Sequence, residues 1–157
     1  MRRTPFPLLN ELSPELKDVI LDFHWDLALL HSLDLPVVEL QVAELAWHLR
    51  LPFWSRDGRP FQVTPLEVAA EPERHVEQHT RTMAADLRYP LDVVRRPNGS
   101  VTILDGVHRL LQAHLSGLES VRGRVLEWEE LDAIAVRGRD EGQQAGGLGF
   151  DSSGIGQ

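Results

Sequence analysis

Asp105, Gly106, Val107, His108 and Arg109 sit together in the stretch VTILDGVHRLLQAHLSG, residues 101–117. The chemistry such a set could do is anion binding. A helix that begins here exposes unpaired N–H groups and the positive end of its macrodipole. Exposed cations at His108 and Arg109 would oppose that field by roughly 0.3–1 kcal/mol each, a cost that an anion among them removes. Arg109 offers a planar fork to phosphate oxygens, and Gly106 lets backbone approach a ligand closely. Asp105 is placed to cap the helix, and its carboxylate could also hold a magnesium ion on phosphates or accept a substrate proton. Two bland alternatives stand beside these roles. His108 could be a buried hydrogen-bonding residue, and Arg109 could bridge an interior carboxylate.

The surrounding pattern says which elements must position these groups. Leu91, Val93 and Val94 read as one strand and Val101, Ile103 and Leu104 as its partner, joined at the turn signal Asn98-Gly99, so residues 91–104 predict a β-hairpin. Leu110, Leu111, His114 and Leu115 give the following helix an inward stripe, and Gly117 stops it. Val121, Arg122, Arg124, Val125 and Leu126 suggest a further strand.

The run Ile103 to Leu110, with Ala113 and Gly117 after it, resembles the signature of the ParB/sulfiredoxin superfamily, a D-G-x-H-R pattern with a later alanine and glycine. Tyr89-Pro90-Leu91-Asp92-Val93-Val94 is similar to the segment leading into that family's preceding strand. The resemblance spans about residues 60 to 127. It implies an α/β (α+β) fold, a small mixed sheet with packed helices, here with a helical N-terminal extension. It also implies that Gly106, Val107, His108 and Arg109 contact the phosphates of a nucleotide, ATP or CTP, with Mg²⁺. The family's chemistries differ. Sulfiredoxins place a nucleophilic cysteine immediately before the motif histidine; here that position is Val107, and the chain has no cysteine. Partition proteins add a helix-turn-helix DNA-binding domain, for which the stretch after residue 127 is too short. Related kinases that phosphorylate free serine need no cysteine, so that branch stays open.

Composition narrows the partners. The chain has 157 residues, 42% of them apolar, enough for one well-packed core. A net charge of −8 argues against broad binding to DNA. Arg95, Arg96, Arg109, Arg122 and Arg124 could still form a local positive site. No apolar run is long enough to span a bilayer and no signal peptide is evident, so the expectation is a cytoplasmic protein without membrane contact.

Three zones are expected. Residues 1–55 read as a helical extension: Ser13-Pro14 starts a helix carrying Leu16, Val19, Ile20, Phe23, Leu27 and Leu30, and a second helix runs from about Glu39 to Arg50. Trp25, Trp47, Phe53 and Trp54 there could form a stacking or partner surface, homodimerisation included, or simply core. Residues 56–135 form the nucleotide domain, with Glu71 to Leu87 a helix facing inward through Val76, Thr80, Met83 and Leu87. Residues 136–157 are a Gly-rich tail without period, expected to be disordered. His75 and His79 share a helical face but lack the H-E-x-x-H order, and no metal site is assigned.

Two functions follow. One is a nucleotide-dependent phosphotransferase or hydrolase, with Asp105 as the catalytic carboxylate, Glu67 or Glu71 assisting, and a small-molecule acceptor. The other is a non-catalytic nucleotide-responsive module that switches a protein partner. A nuclease would need an acidic metal cluster and a basic track, and the sequence makes neither clear.

Overall fold

The helix expected from Ser13 to Leu30 is broken in two in the computed structural model, which describes residues 2–138. Ser13 caps α1 (Pro14–Lys17), its hydroxyl accepting from Leu16 N–H at 3.4 Å, but α1 ends after one turn. The chain then runs extended, Phe23 bridging Pro5 and Trp25 bridging Ala135. Asp26 restarts it by accepting from the N–H groups of Ala28 and Leu29, which opens α2 (Leu27–Ser32). An internal cap thus overrides helical spacing that continued past it.

The second expected helix is also corrected. Val37 to Gln41 alternate exposed and half-buried and form β1 (Val37–Gln41), followed by α3 (Val42–Leu45) and a 3-10 turn, Ala46–Arg50. Pro36 and two β-branched valines favour the strand. Next come a small hairpin of β2 (Trp54–Arg56) and β3 (Arg59–Val63), then α4 (Pro65–Ala70), which Thr64 and Glu67 close with a capping box. α5 (Val76–Ala84) is shorter than expected and turned the other way. Gln78 and Thr82 are buried, whereas Val76 and Met83 are 63% and 50% exposed.

The hairpin forms as predicted, as β4 (Leu91–Arg95) and β5 (Val101–Asp105), with Gly99 at φ 87° in its turn. α6 (Val107–Leu115) and β6 (Ser120–Glu127) follow. One mixed four-stranded sheet results, in the order β1-β6-β4-β5, with β4 parallel to β6 and the other pairs antiparallel. With helices packed on it, this is the α/β class expected.

Alternation divides the core between the two faces of the sheet. Val93, Ile103 and Val125 join one cluster with Leu16, Leu45, Phe53, Trp54, Val107 and Leu110. Val94, Leu104 and Leu126 join another with Phe23, Trp25, Leu30 and Ile134. Trp25, Phe53 and Trp54 are therefore core; Trp47 is partly exposed. Residues from before position 55 supply much of both clusters.

Two details of β5 matter below. Its ladder with β4 shifts register: Val93 lies opposite Ile103, but Asp92 lies opposite Asp105, so one step on β4 spans two on β5. β5 is also an edge strand, and His48 closes it: Nε2 accepts from Ile103 N–H at 3.2 Å while Nδ1–H donates to the Leu45 carbonyl at 2.8 Å. The His48 ring stacks on Trp47 with centroids 3.8 Å apart.

Residues 136–138, expected in the disordered tail, pair with the N-terminal segment: Arg137 bridges Arg3, and Thr4 N–H donates to the Val136 carbonyl at 2.9 Å. The rest of that expected tail, 139–157, lies outside the described residues. Among the described residues no helix is long and apolar enough to cross a membrane.

Candidate functional site

β5 ends at Asp105, and Gly106 turns the chain into α6 at φ 118°. Glycine is required twice here. The φ lies in the left-handed region, and a Cβ would meet Leu91 Cδ2 at 2.7 Å. The expectation that Asp105 caps α6 is corrected: Gly106 holds the cap position, and no side chain caps the helix. Asp105 instead remains in the sheet, with its carboxylate accepting from Arg109 Nη2 at 3.2 Å, one helical turn on.

The register shift sets Asp105 beside Asp92, and Arg124 pairs with Asp92 on the next strand. Two carboxylates, 2% and 1% exposed, are thus cross-strand neighbours in the middle of a row of charge. Arg124 Nη1 donates to Asp92 Oδ1 at 2.6 Å, and its Nη2 donates to the carbonyls of Leu30 and Leu33. The same guanidinium therefore holds one carboxylate and anchors the end of α2, where cations are favoured. That anchoring brings His31 to the pair: its Nε2 is 3.1 Å from Asp105 Oδ2 and 3.5 Å from Asp92 Oδ2.

Burial dominates the electrostatics. Desolvation raises the Asp92 pKa against the pull of Arg124, His31 and Arg109. Desolvation likewise pushes Asp105 up to about 6, aided by repulsion from Asp92 and opposed by Arg109 and His31. Asp105 Oδ1 is buried without a hydrogen-bond partner, an orphan that calls for a reason.

His108 and Arg109 take the positions of the bland alternatives named for them, a buried hydrogen-bonding ring and a bridge to an interior carboxylate. His108 is 3% exposed and stacks on Trp54, with centroids 4.3 Å apart at 13°. Its Nε2 lies 2.7 Å from Gln78 Oε1, so the tautomer protonated on Nε2 donates there. Burial first, then Arg81 and Arg109, hold its pKa down to about 3, which makes it a neutral ring at physiological pH. Arg109 donates from Nη1 to the Pro90 carbonyl at 2.7 Å as well as to Asp105. Its guanidinium is committed to the scaffold on two sides. Val107 is packed in the core.

His31, Asp92, Asp105, His108, Arg109 and Arg124 line one cleft of about 770 Å³ together with Arg81, Asp86 and Tyr89. That volume is in the range of small-molecule and cofactor sites. Arg81 lines it with a buried Nη1 that has no hydrogen-bond partner. Asp86 is engaged by Arg88, which lowers its pKa to about 2.

Sequence reasoning reached Asp105, Gly106, His108 and Arg109 but missed His31, Asp92 and Arg81 as site residues. A signal existed for one of them: Asp92 is an acid set among the buried apolar residues Leu91, Val93 and Val94. His31 had none, because it arrives from 74 residues away. Among the described residues the group able to hold a metal ion is His31, Asp92 and Asp105, whose donor atoms lie within 4.8 Å of one another; His75 and His79 are not part of it. No family model matches the chain, and no curated protein matches it.

Proposed function

We propose that the cleft binds a nucleotide, ATP or CTP, through its phosphates, and that the protein is a nucleotide-dependent phosphotransferase or hydrolase, in keeping with the ParB/sulfiredoxin resemblance of its D-G-x-H-R segment. The observation that carries the reading is the meeting, in one nucleotide-sized cleft, of an orphaned guanidinium nitrogen on Arg81 and an orphaned carboxylate oxygen on Asp105. The first suits a phosphate oxygen and the second a cation or an acceptor proton. Rate acceleration in such a site comes from positioning and from fixed charges around the transferring group. Arg109 holds Asp105 in place, and His108 supports the start of α6 as a neutral packed ring. The phosphate-facing role passes to Arg81.

A regulatory reading has one observation in its favour. His31, half-exposed, is carried by the N-terminal α2, so a ligand in the cleft would touch an element distant in sequence. Turnover separates the two.

The test is a thermal-shift panel of ATP, CTP, GTP and ADP, each with and without Mg²⁺. A nucleotide at 100 times its Kd stabilises the fold by about 2.7 kcal/mol. Arg81→Gln is expected to abolish that shift and leave the ligand-free melting temperature unchanged. If no nucleotide moves the melt, the reading is wrong. Release of phosphate or phosphorylation of an acceptor supports the enzyme, and binding with the nucleotide intact supports the switch.

A further inference from the structure

We propose that His31, Asp92 and Asp105 form a binding site for a divalent transition-metal ion, of the Mn²⁺, Co²⁺ or Zn²⁺ class, at the floor of the cleft. Donor spacing is the first argument. Metal bonds of about 2.0–2.2 Å place neighbouring donors roughly 3.0–3.5 Å apart. His31 Nε2 stands 3.1 Å from Asp105 Oδ2 and 3.5 Å from Asp92 Oδ2.

The second argument is how the oxygens are divided. Asp92 gives Oδ1 to Arg124 and turns Oδ2 to His31. Asp105 gives Oδ2 to Arg109, and its buried Oδ1 has no hydrogen-bond partner. Asp92 thus has Oδ1 held by a guanidinium and Oδ2 turned to His31, whereas Asp105 shares Oδ2 between Arg109 and His31 and has a second oxygen without a partner. Outer partners of this kind orient metal ligands. An unsatisfied oxygen on a residue 1% exposed is the mark of a group that waits for a partner.

The donor chemistry chooses the ion. One imidazole with two carboxylates suits Mn²⁺, Co²⁺ or Zn²⁺, whereas Mg²⁺ prefers oxygen and retains its waters. The two arginines offset the two carboxylates, so the bound ion would leave the floor of the cleft positive. An anionic ligand would find that charge in the same cleft as Arg81. The proposal deepens the nucleotide reading without resting on it, because the metal alone is its probe.

The experiment titrates the metal-free full-length chain with CoCl₂, following the visible d–d absorption, and with MnCl₂, ZnCl₂ and MgCl₂ by calorimetry. One ion per chain is expected, with Mg²⁺ the weakest. His31→Ala, at a half-exposed side chain, is expected to fold as the parent and to weaken Co²⁺ binding at least tenfold. Asp105→Asn is expected to do the same, and His75→Ala to change nothing. Absence of d–d bands, binding unchanged in His31→Ala, or binding lost in His75→Ala would each overturn the proposal. Nucleotide shifts without metal binding would sink this site alone; metal binding without nucleotide shifts would sink only the nucleotide reading.

Discussion

His48 and Asp105 lie against the same edge strand, β5, and both are buried, yet the molecule treats them in opposite ways. Each nitrogen of His48 has a backbone partner, and its ring stacks on Trp47 and lies 6.3 Å from the Phe53 ring, near parallel to it. Burial holds its pKa down to about 4, so it is neutral and satisfied. Asp105 has a raised pKa, a buried carboxylate neighbour and an oxygen without a partner. Burial of an ionisable group is common to both and so discriminates nothing. What separates a building part from a working part is whether its polar atoms are used up.

The strongest way to break this comparison is His48→Ala. The change removes a stacked ring and strands the Ile103 N–H and the Leu45 carbonyl, so a loss of about 3–5 kcal/mol is expected. Urea unfolding measures it, and a loss under 1 kcal/mol would show that His48 is no structural part.

Acid provides the next effect. Burial holds the folded-state pKa values of His48 and His108 down to about 4 and about 3, below the ordinary histidine value of about 6.5. The unfolded chain therefore binds protons first as pH drops. Stability is full above about pH 6.5 and declines toward pH 4, on the order of a few kcal/mol. Asp105 works the other way, since its raised pKa favours the fold as pH falls through 6. The urea midpoint measured against pH should show the net decline, and His48→Phe should flatten it; an equal slope in that variant would contradict the assignment.

The smallest effect belongs to Asp105→Asn. The substitution lifts the desolvation penalty on the carboxylate and leaves Arg109 a carbonyl acceptor. Stability at pH 7 is expected to stay within about 1 kcal/mol of the parent. A loss above 3 kcal/mol would place Asp105 with His48, as architecture.

The same contrast explains what the amino-acid sequence disclosed. From Leu91 onward, alternating apolar residues and glycines at positions 99, 106 and 117 meet local backbone demands, and the hairpin, α6 and β6 were readable. Before residue 50, helical spacing of apolar residues was shared by extended segments whose partners lie far away, such as Trp25 with Ala135 and Val37 with Arg124. Spacing within a window carries no trace of such partners. In the site, Asp105, Gly106 and Arg109 share one turn and could be seen together. For His108 the sequence left two roles open, because a histidine at a helix start looks the same whether it faces a ligand or an indole. α5 was turned around because Gln78 and Thr82, polar residues, bury themselves to meet His108 and the backbone.

The extra residue in β5 acts as a half-period phase change. Counted back from Val93 and Ile103 in an unbroken ladder, Asp105 would fall opposite Leu91 and share the α6 side of the sheet, out of reach of Asp92. The paired acids are thus specified by arithmetic as much as by residue type. A sister chain with every letter of the D-G-x-H-R segment and the same count back to the hairpin turn, but an unbroken ladder, would retain the fold's outline and have a lone acid where this one has a couple.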